Sequence, residues 1–168
     1  MNLRKLQLKD APHMLEWMHD ENVVKDLQAN FMSKTIEDCE KFITYSLLDN
    51  NNLHYAITDD EDTYMGTVSL KNINEETAEF AITVRKSAMG KGYSLYGMKK
   101  IIDKGLNELG LKKIYWCVNP VNKRAVRFYD KNGFEKTNIL KDPLIKIIRM
   151  INNYTENQIE NYIWYIVM

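Results

Sequence analysis

Residues 84–93 have the sequence Val-Arg-Lys-Ser-Ala-Met-Gly-Lys-Gly-Tyr and join two segments of different periodicity. Residues 77–84 alternate apolar and polar side chains, which predicts a strand. Residues 93–109 have helical spacing and are followed by a glycine, which predicts a long helix. Gly90 and Gly92 allow the backbone to turn tightly and to approach a ligand closely. The amides of this turn and the positive end of the helix therefore predict a site for an anion such as a pyrophosphate.

A tight turn without a ligand is the simplest alternative for the glycine pair, and two nucleotide-binding motifs do not fit it. A dinucleotide-binding loop needs a third glycine at the position of Leu95. A P-loop needs Ser or Thr directly after its Gly-Lys pair, where this chain has Gly92. The turn alone therefore does not identify the anion.

Strands and helices are also predicted on both sides of the turn. Two helices, opened by Asp10 and Thr35, follow the first strand, and residues 141–161 show no clear pattern. The predicted strands are residues 3–8, 54–58, 64–70, 77–84, 113–118, 134–140 and 162–167, and the last predicted helix is residues 122–131. The predicted fold class is α/β (α+β), with a mixed, mostly antiparallel sheet of six to seven strands and about four flanking helices. We expect a single domain over residues 1–168.

Composition excludes several functional classes. The 23 basic residues balance the 23 acidic residues, so no general attraction to nucleic acid or to a membrane is expected. Cys39 and Cys117 have neither metal-site nor CxxC spacing, which predicts two reduced thiols in a cytoplasmic protein without a metal. The first ten residues lack the apolar run of a signal peptide, and no apolar stretch reaches the ~20 residues of a membrane helix.

A second informative block follows the glycine turn. Residues 122–134 have the sequence Asn-Lys-Arg-Ala-Val-Arg-Phe-Tyr-Asp-Lys-Asn-Gly-Phe. Asn122 is a residue type that opens helices, and Tyr129 projects from the same helix face two turns later. This block resembles the Asn-x-x-Ala-x-x-x-Tyr-x-x-x-Gly-Phe signature of the GNAT superfamily of N-acetyltransferases. Residues 87–92 resemble its Gln/Arg-x-x-Gly-x-Gly/Ala loop, with Ser87 in place of the usual Gln or Arg.

The resemblance implies that acetyl-CoA is the co-substrate and assigns roles to single residues. Tyr129 would lie near the CoA sulfur and act as general acid, and Glu79 would be the general base. The strand at 77–84 would splay from the strand at 113–118 to admit the pantetheine arm, and its backbone N–H groups would polarise the acetyl carbonyl. The implied acetyl-CoA-binding residues are Ile82, Thr83, Val84, Ser87, Met89, Gly90, Lys91, Gly92, Tyr93, Asn122 and Tyr129.

Each of these assignments has an alternative. Taken alone, Tyr129 is a half-buried core aromatic and Glu79 a solvent-facing strand charge. His54 and His19 are second candidates for the base. At the loop, Arg85 or Lys86 is expected to compensate for the missing Gln or Arg.

The resemblance further implies transfer to a primary amine, either a small amine or an amino sugar, including a nucleotide-linked one. The GNAT subgroup that this sequence resembles acts on ribosomal proteins and amino sugars. A protein N-terminal acetyltransferase and a non-catalytic CoA-binding domain remain as alternatives, and a homodimer through terminal strands stays open. The first half of the chain is expected to supply the acceptor pocket, with Trp17, Asn22, Phe31 and Met32 as candidates.

Overall fold

The computed structural model describes residues 1–27 and 29–168. Seven strands in this described part form one sheet in the order β1-β2-β3-β4-β5-β7-β6. All neighbours are antiparallel except β4 and β5, which are parallel. The predicted mostly antiparallel sheet is therefore confirmed. The strands are β1 Asn2–Lys5, β2 Leu53–Thr58, β3 Tyr64–Lys71, β4 Thr77–Val84, β5 Lys113–Val118, β6 Glu135–Thr137 and β7 Ile163–Val167.

Seven α-helices flank the sheet within the described residues, more than the four expected. The extra helices are short, with four to seven residues, and carry too few turns for a periodic signal. Such helices depend on tertiary packing rather than on helix propensity. The helices are α1 Ala11–Met18, α2 Glu21–Val24, α3 Ile36–Ser46, α4 Tyr93–Asp103, α5 Lys123–Lys131, α6 Ile145–Ile151 and α7 Glu156–Asn161.

Strand alternation divides the core between the two faces of the sheet. On one face, Met98 and Ile101 of α4 pack on the strands. On the other face, helices α1 to α3 cover the first half of the sheet and α6 and α7 cover the second half. Helix α4 lies very close to the sheet, because the Cα of Gly97 has no room for a methyl group beside Ile57. We expect an alanine at this position to cost about 1–3 kcal/mol of stability through overpacking.

Three predicted elements differ from those observed by more than one residue at an end. The strand predicted at 3–8 ends at Lys5, because the Asp10 carboxylate accepts the Gln7 amide at 2.8 Å and closes a 3₁₀ turn. The strand predicted at 134–140 shrinks to Glu135–Thr137, because Ile139 turns into the core beside α6 and α7. The long helix predicted at 93–109 is α-helical to Asp103 and then widens into a π turn.

The parallel pair β4 and β5 separates along its length. Pairing joins only Thr77, Ala78 and Glu79 to Lys113, Ile114 and Tyr115. Strand β4 stays paired with β3 as far as Val84, and β5 stays paired with β7 as far as Val118. The facing edges of β4 and β5 beyond Glu79 thus present backbone groups to a gap inside the sheet. This is the splay that the family resemblance implies.

Candidate active site

The gap between β4 and β5 leads into a cavity of about 530 Å³, which we call the donor cavity. Its walls come from both faces of the sheet, because the gap passes through it. Most of the predicted site residues line this cavity. They are Glu79, Ile82, Thr83, Val84, Met89, Gly90, Asn122 and Tyr129.

The other predicted loop residues lie beside the donor cavity rather than in its wall. Ser87, Lys91 and Gly92 are exposed on the turn, and Tyr93 begins α4. Gly92 has φ 88° and precedes the helix in the left-handed conformation, which side chains with a Cβ rarely adopt. The first N–H groups of a helix have no partner within it. The turn and the start of α4 therefore present amide donors next to Gly90.

Asn122 is buried at the start of α5. Its Oδ1 accepts a hydrogen bond from the Ala125 amide at 3.0 Å, so the side chain caps the helix. The carbonyl end of the side chain is thereby fixed, and its NH₂ group provides the donors. Asn122 is suited to hold a carbonyl oxygen of a bound chain.

Tyr129 lies on the same side of the sheet as α4, within an aromatic cluster. Its ring centroid is 5.2 Å from that of Trp116 and 5.0 Å from that of Tyr165. Burial, with a smaller contribution from the charge of Tyr165, raises the pKa of Tyr129 above its ordinary value. The phenol therefore keeps its proton throughout the physiological range and is a hydrogen donor there.

Glu79 lines the donor cavity from the opposite face and is 8% exposed. Its carboxylate contacts Lys71 Nζ at 2.8 Å and accepts a hydrogen bond from Asn72 Nδ2 at 3.0 Å. Tyr154, from the loop between α6 and α7, also lines the cavity. Burial first, and then the negative charge of Glu79, raises the pKa of Tyr154. The carboxylate is thus buried and bound by Lys71 and Asn72, whereas the simple alternative made it a solvent-facing charge.

Sequence reasoning missed these partners of Glu79. Lys71 and Asn72 end a strand at a polar turn, where such residues are common, and Tyr154 lies in the segment 141–161 that gave no pattern. The local sequence at these three residues does not indicate a contact with Glu79. The contacts depend on the register of β3 with β4 and on the docking of the C-terminal helices.

The cation that lines the donor cavity beside the loop is neither of the two expected. The Arg85 guanidinium binds the Glu16 carboxylate at 2.6 Å and the Tyr64 carbonyl at 3.0 Å, so it is directed away from the loop. Lys86 is exposed and does not line the cavity. Arg124 lines the cavity instead, with Nη1 at 3.2 Å from Met89 Sδ. Arg124 belongs to the second sequence block, residues 122–134, and this was the available sign that it lies at the site.

A second cavity of about 330 Å³, which we call the acceptor cavity, lies beneath α1 and α3. It shares Phe31, Lys71 and residues 81–83 with the donor cavity, so the two meet at β4. Trp17 and Phe31 line it as expected. Asn22 and Met32 are exposed and line neither cavity.

The two histidines considered as bases have different surroundings. His54 lines the acceptor cavity, and its Nδ1 lies 2.7 Å from Ser69 Oγ. Burial lowers the pKa of His54 to about 4, so the ring is neutral at physiological pH. His19 contacts the Lys34 carbonyl through Nε2 at 2.8 Å and lines neither cavity.

Within residues 1–27 and 29–168, no three His, Cys, Asp or Glu side chains are grouped so that they could hold a metal ion. The same residues include no helix with the length and hydropathy needed to cross a membrane.

Comparisons with known proteins agree with this geometry. A family model described as an acetyltransferase (GNAT) domain matches residues 1–135. The uncharacterized N-acetyltransferase p20 of Bacillus licheniformis is 28% identical over 153 residues, which cover 84% of this chain and 83% of that protein. The spermidine N(1)-acetyltransferase of Vibrio cholerae is 27% identical over 139 residues, or 80% and 78% of the two chains.

A solved structure shows the same fold. The spermidine N-acetyltransferase from Vibrio cholerae, crystallised with CoA and spermine, superposes with a TM-score of 0.75 at 19% identity. The superposition covers 99% of this chain and 94% of that one. The chain therefore belongs to the GNAT acetyltransferase family and is an acetyl-CoA-dependent N-acetyltransferase.

Proposed function

We propose that this enzyme transfers the acetyl group of acetyl-CoA to a primary amine by direct attack, with Tyr129 as general acid and Glu79 as general base. The observation that carries the proposal is the gap between β4 and β5. Tyr129 lines this gap from one face of the sheet and Glu79 from the other. A proton donor and a proton acceptor on opposite sides of one opening suit a reaction in which an amine attacks from one side and a thiol leaves on the other.

Backbone groups and the loop would hold the donor. The unpaired edge of β4 offers N–H groups around residues 82–84 to the acetyl carbonyl, which supports an oxyanion-stabilising role. The pantetheine arm would lie between β4 and β5 as an added strand does, with Asn122 binding one of its carbonyl groups. Ser87, Lys91, Gly92 and Tyr93 would surround the diphosphate through backbone amides, and Arg124 would supply the positive charge.

Tyr129 would protonate the departing thiolate. A thiol of ordinary pKa near ~8.5 leaves more easily when it takes up a proton as its bond to carbon breaks. What supports this role is the position of Tyr129 in the wall of the donor cavity, where its phenol keeps its proton near neutral pH until the thiolate leaves.

Glu79 would receive the proton of the attacking amine. An alkylammonium with a pKa near ~10.4 is almost fully charged at neutral pH, so it must lose a proton before it attacks. The carboxylate first attracts the ammonium group and then accepts its proton. Lys71 and Asn72 would fix the orientation of the carboxylate and leave its cavity side to the substrate.

We further propose that the enzyme acts in the cytoplasm. Cys39 and Cys117 are thiols rather than a disulfide, which suits a reducing compartment.

Titration calorimetry with acetyl-CoA, followed by a thiol-release assay with a panel of primary amines, tests the proposed function. We expect acetyl-CoA to bind, to raise the melting temperature by mass action, and to release thiol only when an amine is present. Mass spectrometry should show one added acetyl group on the amine. An absence of acetyl-CoA binding, or of amine-dependent thiol release across the whole panel, would refute the proposal.

A further inference from the structure

We infer that the acceptor is a monoamine with a compact apolar body, such as an arylalkylamine or a cycloalkylamine, rather than a polyamine or a sugar. This inference rests on the proposed function, because it concerns the amine that reaches the same reaction centre. The acceptor cavity carries the argument through its walls, its hydrogen bonds, its charges and its position.

The walls of the acceptor cavity are mainly rings and thioethers. Trp17 and Phe31 meet edge to face with ring centroids 5.0 Å apart, and Phe42 lies at the rim. Met14 and Met18 are buried beside them. Cavities of this size and lining take small apolar ligands, and methionine adapts to their shape.

Several polar side chains of the acceptor cavity already have protein partners. Thr67 Oγ1 lies 2.7 Å from the Tyr64 hydroxyl, and Ser69 Oγ lies 2.7 Å from His54 Nδ1. A sugar would place several hydroxyl groups against walls whose hydrogen bonds are already committed. Burial of a hydroxyl group without a partner is costly, so the cavity disfavours a polyhydroxylated guest.

The charges of the acceptor cavity suit one ammonium group at most. Among its described lining residues, Asp38 is the one carboxylate. Asp38 accepts the Thr35 amide at 3.0 Å in the capping box of α3. Lys34 lines the same cavity and its charge acts on Asp38. With Glu79 taken by the reacting ammonium group, a second ammonium group of a polyamine would have only the partly engaged Asp38, and a third would lose its hydration without gaining an anionic partner in this cavity.

The junction of the two cavities orients such an amine. They meet at residues 81–83, next to the gap that Glu79 lines. An amine that enters with its nitrogen at this junction places its body among Trp17, Met14 and Phe42. The single charge then lies toward Glu79, and the apolar part is removed from water.

Two probes of nearly identical shape test the inference. Cyclohexylmethylamine and 4-(aminomethyl)piperidine share a six-membered ring and a primary amine, but the second carries an additional charge. We expect kcat/KM to be at least about tenfold higher for cyclohexylmethylamine, and spermidine to be poorer than either probe. Preference for the dication or for spermidine overturns the inference, as does turnover of neither ring amine by a protein that binds acetyl-CoA. A protein that does not bind acetyl-CoA refutes the proposed function instead.

Two variants on α3 distinguish the effect of a negative charge in the acceptor cavity from the effect of the same charge elsewhere on the protein. Phe42→Asp places a carboxylate at the cavity rim, and Tyr45→Asp places the same charge on an exposed site of the same helix outside the cavity. We expect the Phe42 variant to reduce the preference for cyclohexylmethylamine by about threefold or more, and the Tyr45 variant to leave it unchanged. Acetyl-CoA-dependent thermal stabilisation confirms that each variant is folded. Equal effects of the two variants, or an unchanged preference in both, would overturn the inference.

Discussion

The donor and acceptor cavities differ in how the sequence encodes them. The lining of the donor cavity is spread over residues 23–154, but its loop and α5 residues come from two short blocks, residues 84–94 and 122–129. The acceptor cavity draws its lining from α1, α3, β2, β3 and β4, spread over residues 14–83. Local motifs therefore supply most of the residues proposed to bind the acetyl donor, whereas packing between distant segments shapes the cavity proposed to hold the amine. Substitutions in the first region should change rate or donor affinity, and substitutions in the second should change which amine reacts.

The largest effect should follow from Tyr129→Phe. The ring stays in its aromatic cluster, but no hydroxyl group remains to protonate the departing thiolate. We expect kcat to fall by roughly 10²–10⁴, the usual range for a positioned acid or base, while acetyl-CoA affinity measured by calorimetry stays the same. An unchanged kcat would remove Tyr129 as the acid. A fall in affinity of similar size would mean that Tyr129 holds the donor instead.

A smaller effect that depends on pH should follow from Glu79→Gln. We expect kcat/KM near neutral pH to fall by about 10². The deficit should shrink as pH approaches the amine pKa, near ~10.4 for an alkylamine, because solvent then supplies neutral amine. Glu75→Gln makes the same charge change at an exposed turn position and should have no effect. A deficit that is constant with pH would argue that Glu79 holds the substrate without taking its proton.

The fold could be predicted where the periodicity was long and uninterrupted. Strands β4 and β5 have the predicted bounds, and α4 begins at Tyr93 as expected. The C-terminal segment could not be predicted, because α6 and α7 are only seven and six residues long. Their buried residues, Ile148 and Ile159, pack against a sheet that the local sequence does not describe.

The site could be predicted where one helix or one strand positions the residue. Asn122 and Tyr129 share a helix face, and both line the donor cavity. The cation beside the loop could not be chosen from the sequence, because Arg85 and Lys86 adjoin the loop along the chain, whereas Arg124 reaches the donor cavity only in the fold. Arg85 is held away from the loop by Glu16, a residue from α1 that binds it in the folded chain.

Arg124→Gln tests this choice of cation with a moderate expected effect. We expect acetyl-CoA affinity to fall by about tenfold, because a charge-assisted contact to a phosphate contributes about 1.5–3 kcal/mol and the exposure of Arg124 favours the lower end of this range. The kcat/KM for S-acetylpantetheine, which lacks the diphosphate, should not change. Arg127→Gln on the same helix removes an exposed charge outside the cavity and is the matched control. Equal losses with the two donors would show that Arg124 does not act on the diphosphate.

The smallest expected effect is the pH dependence of stability caused by His54, which shows whether water enters the acceptor cavity. Burial, with smaller contributions from the charges of Lys71 and Lys5, lowers the pKa of His54 from 6.5 to about 4, against the opposing influence of Asp49. The unfolded chain therefore binds a proton in this window that the folded chain does not. The stability due to neutral His54 is complete above pH 6.5 and is lost as pH falls toward 4.

Urea denaturation of the wild type and of His54→Gln across this pH window isolates the contribution of His54 to the free energy of unfolding. All other groups titrate in both proteins, so their effects cancel in the difference. The glutamine retains a polar partner for Ser69 but does not titrate. We expect the wild type to lose about 1–2 kcal/mol more than the variant on acidification, a value reduced for partial solvent access. Parallel pH dependence in the two proteins would mean that water reaches His54 in the folded state. An acceptor cavity that water enters would impose a smaller penalty on a second charge, and the expected difference between the two ring amines would shrink.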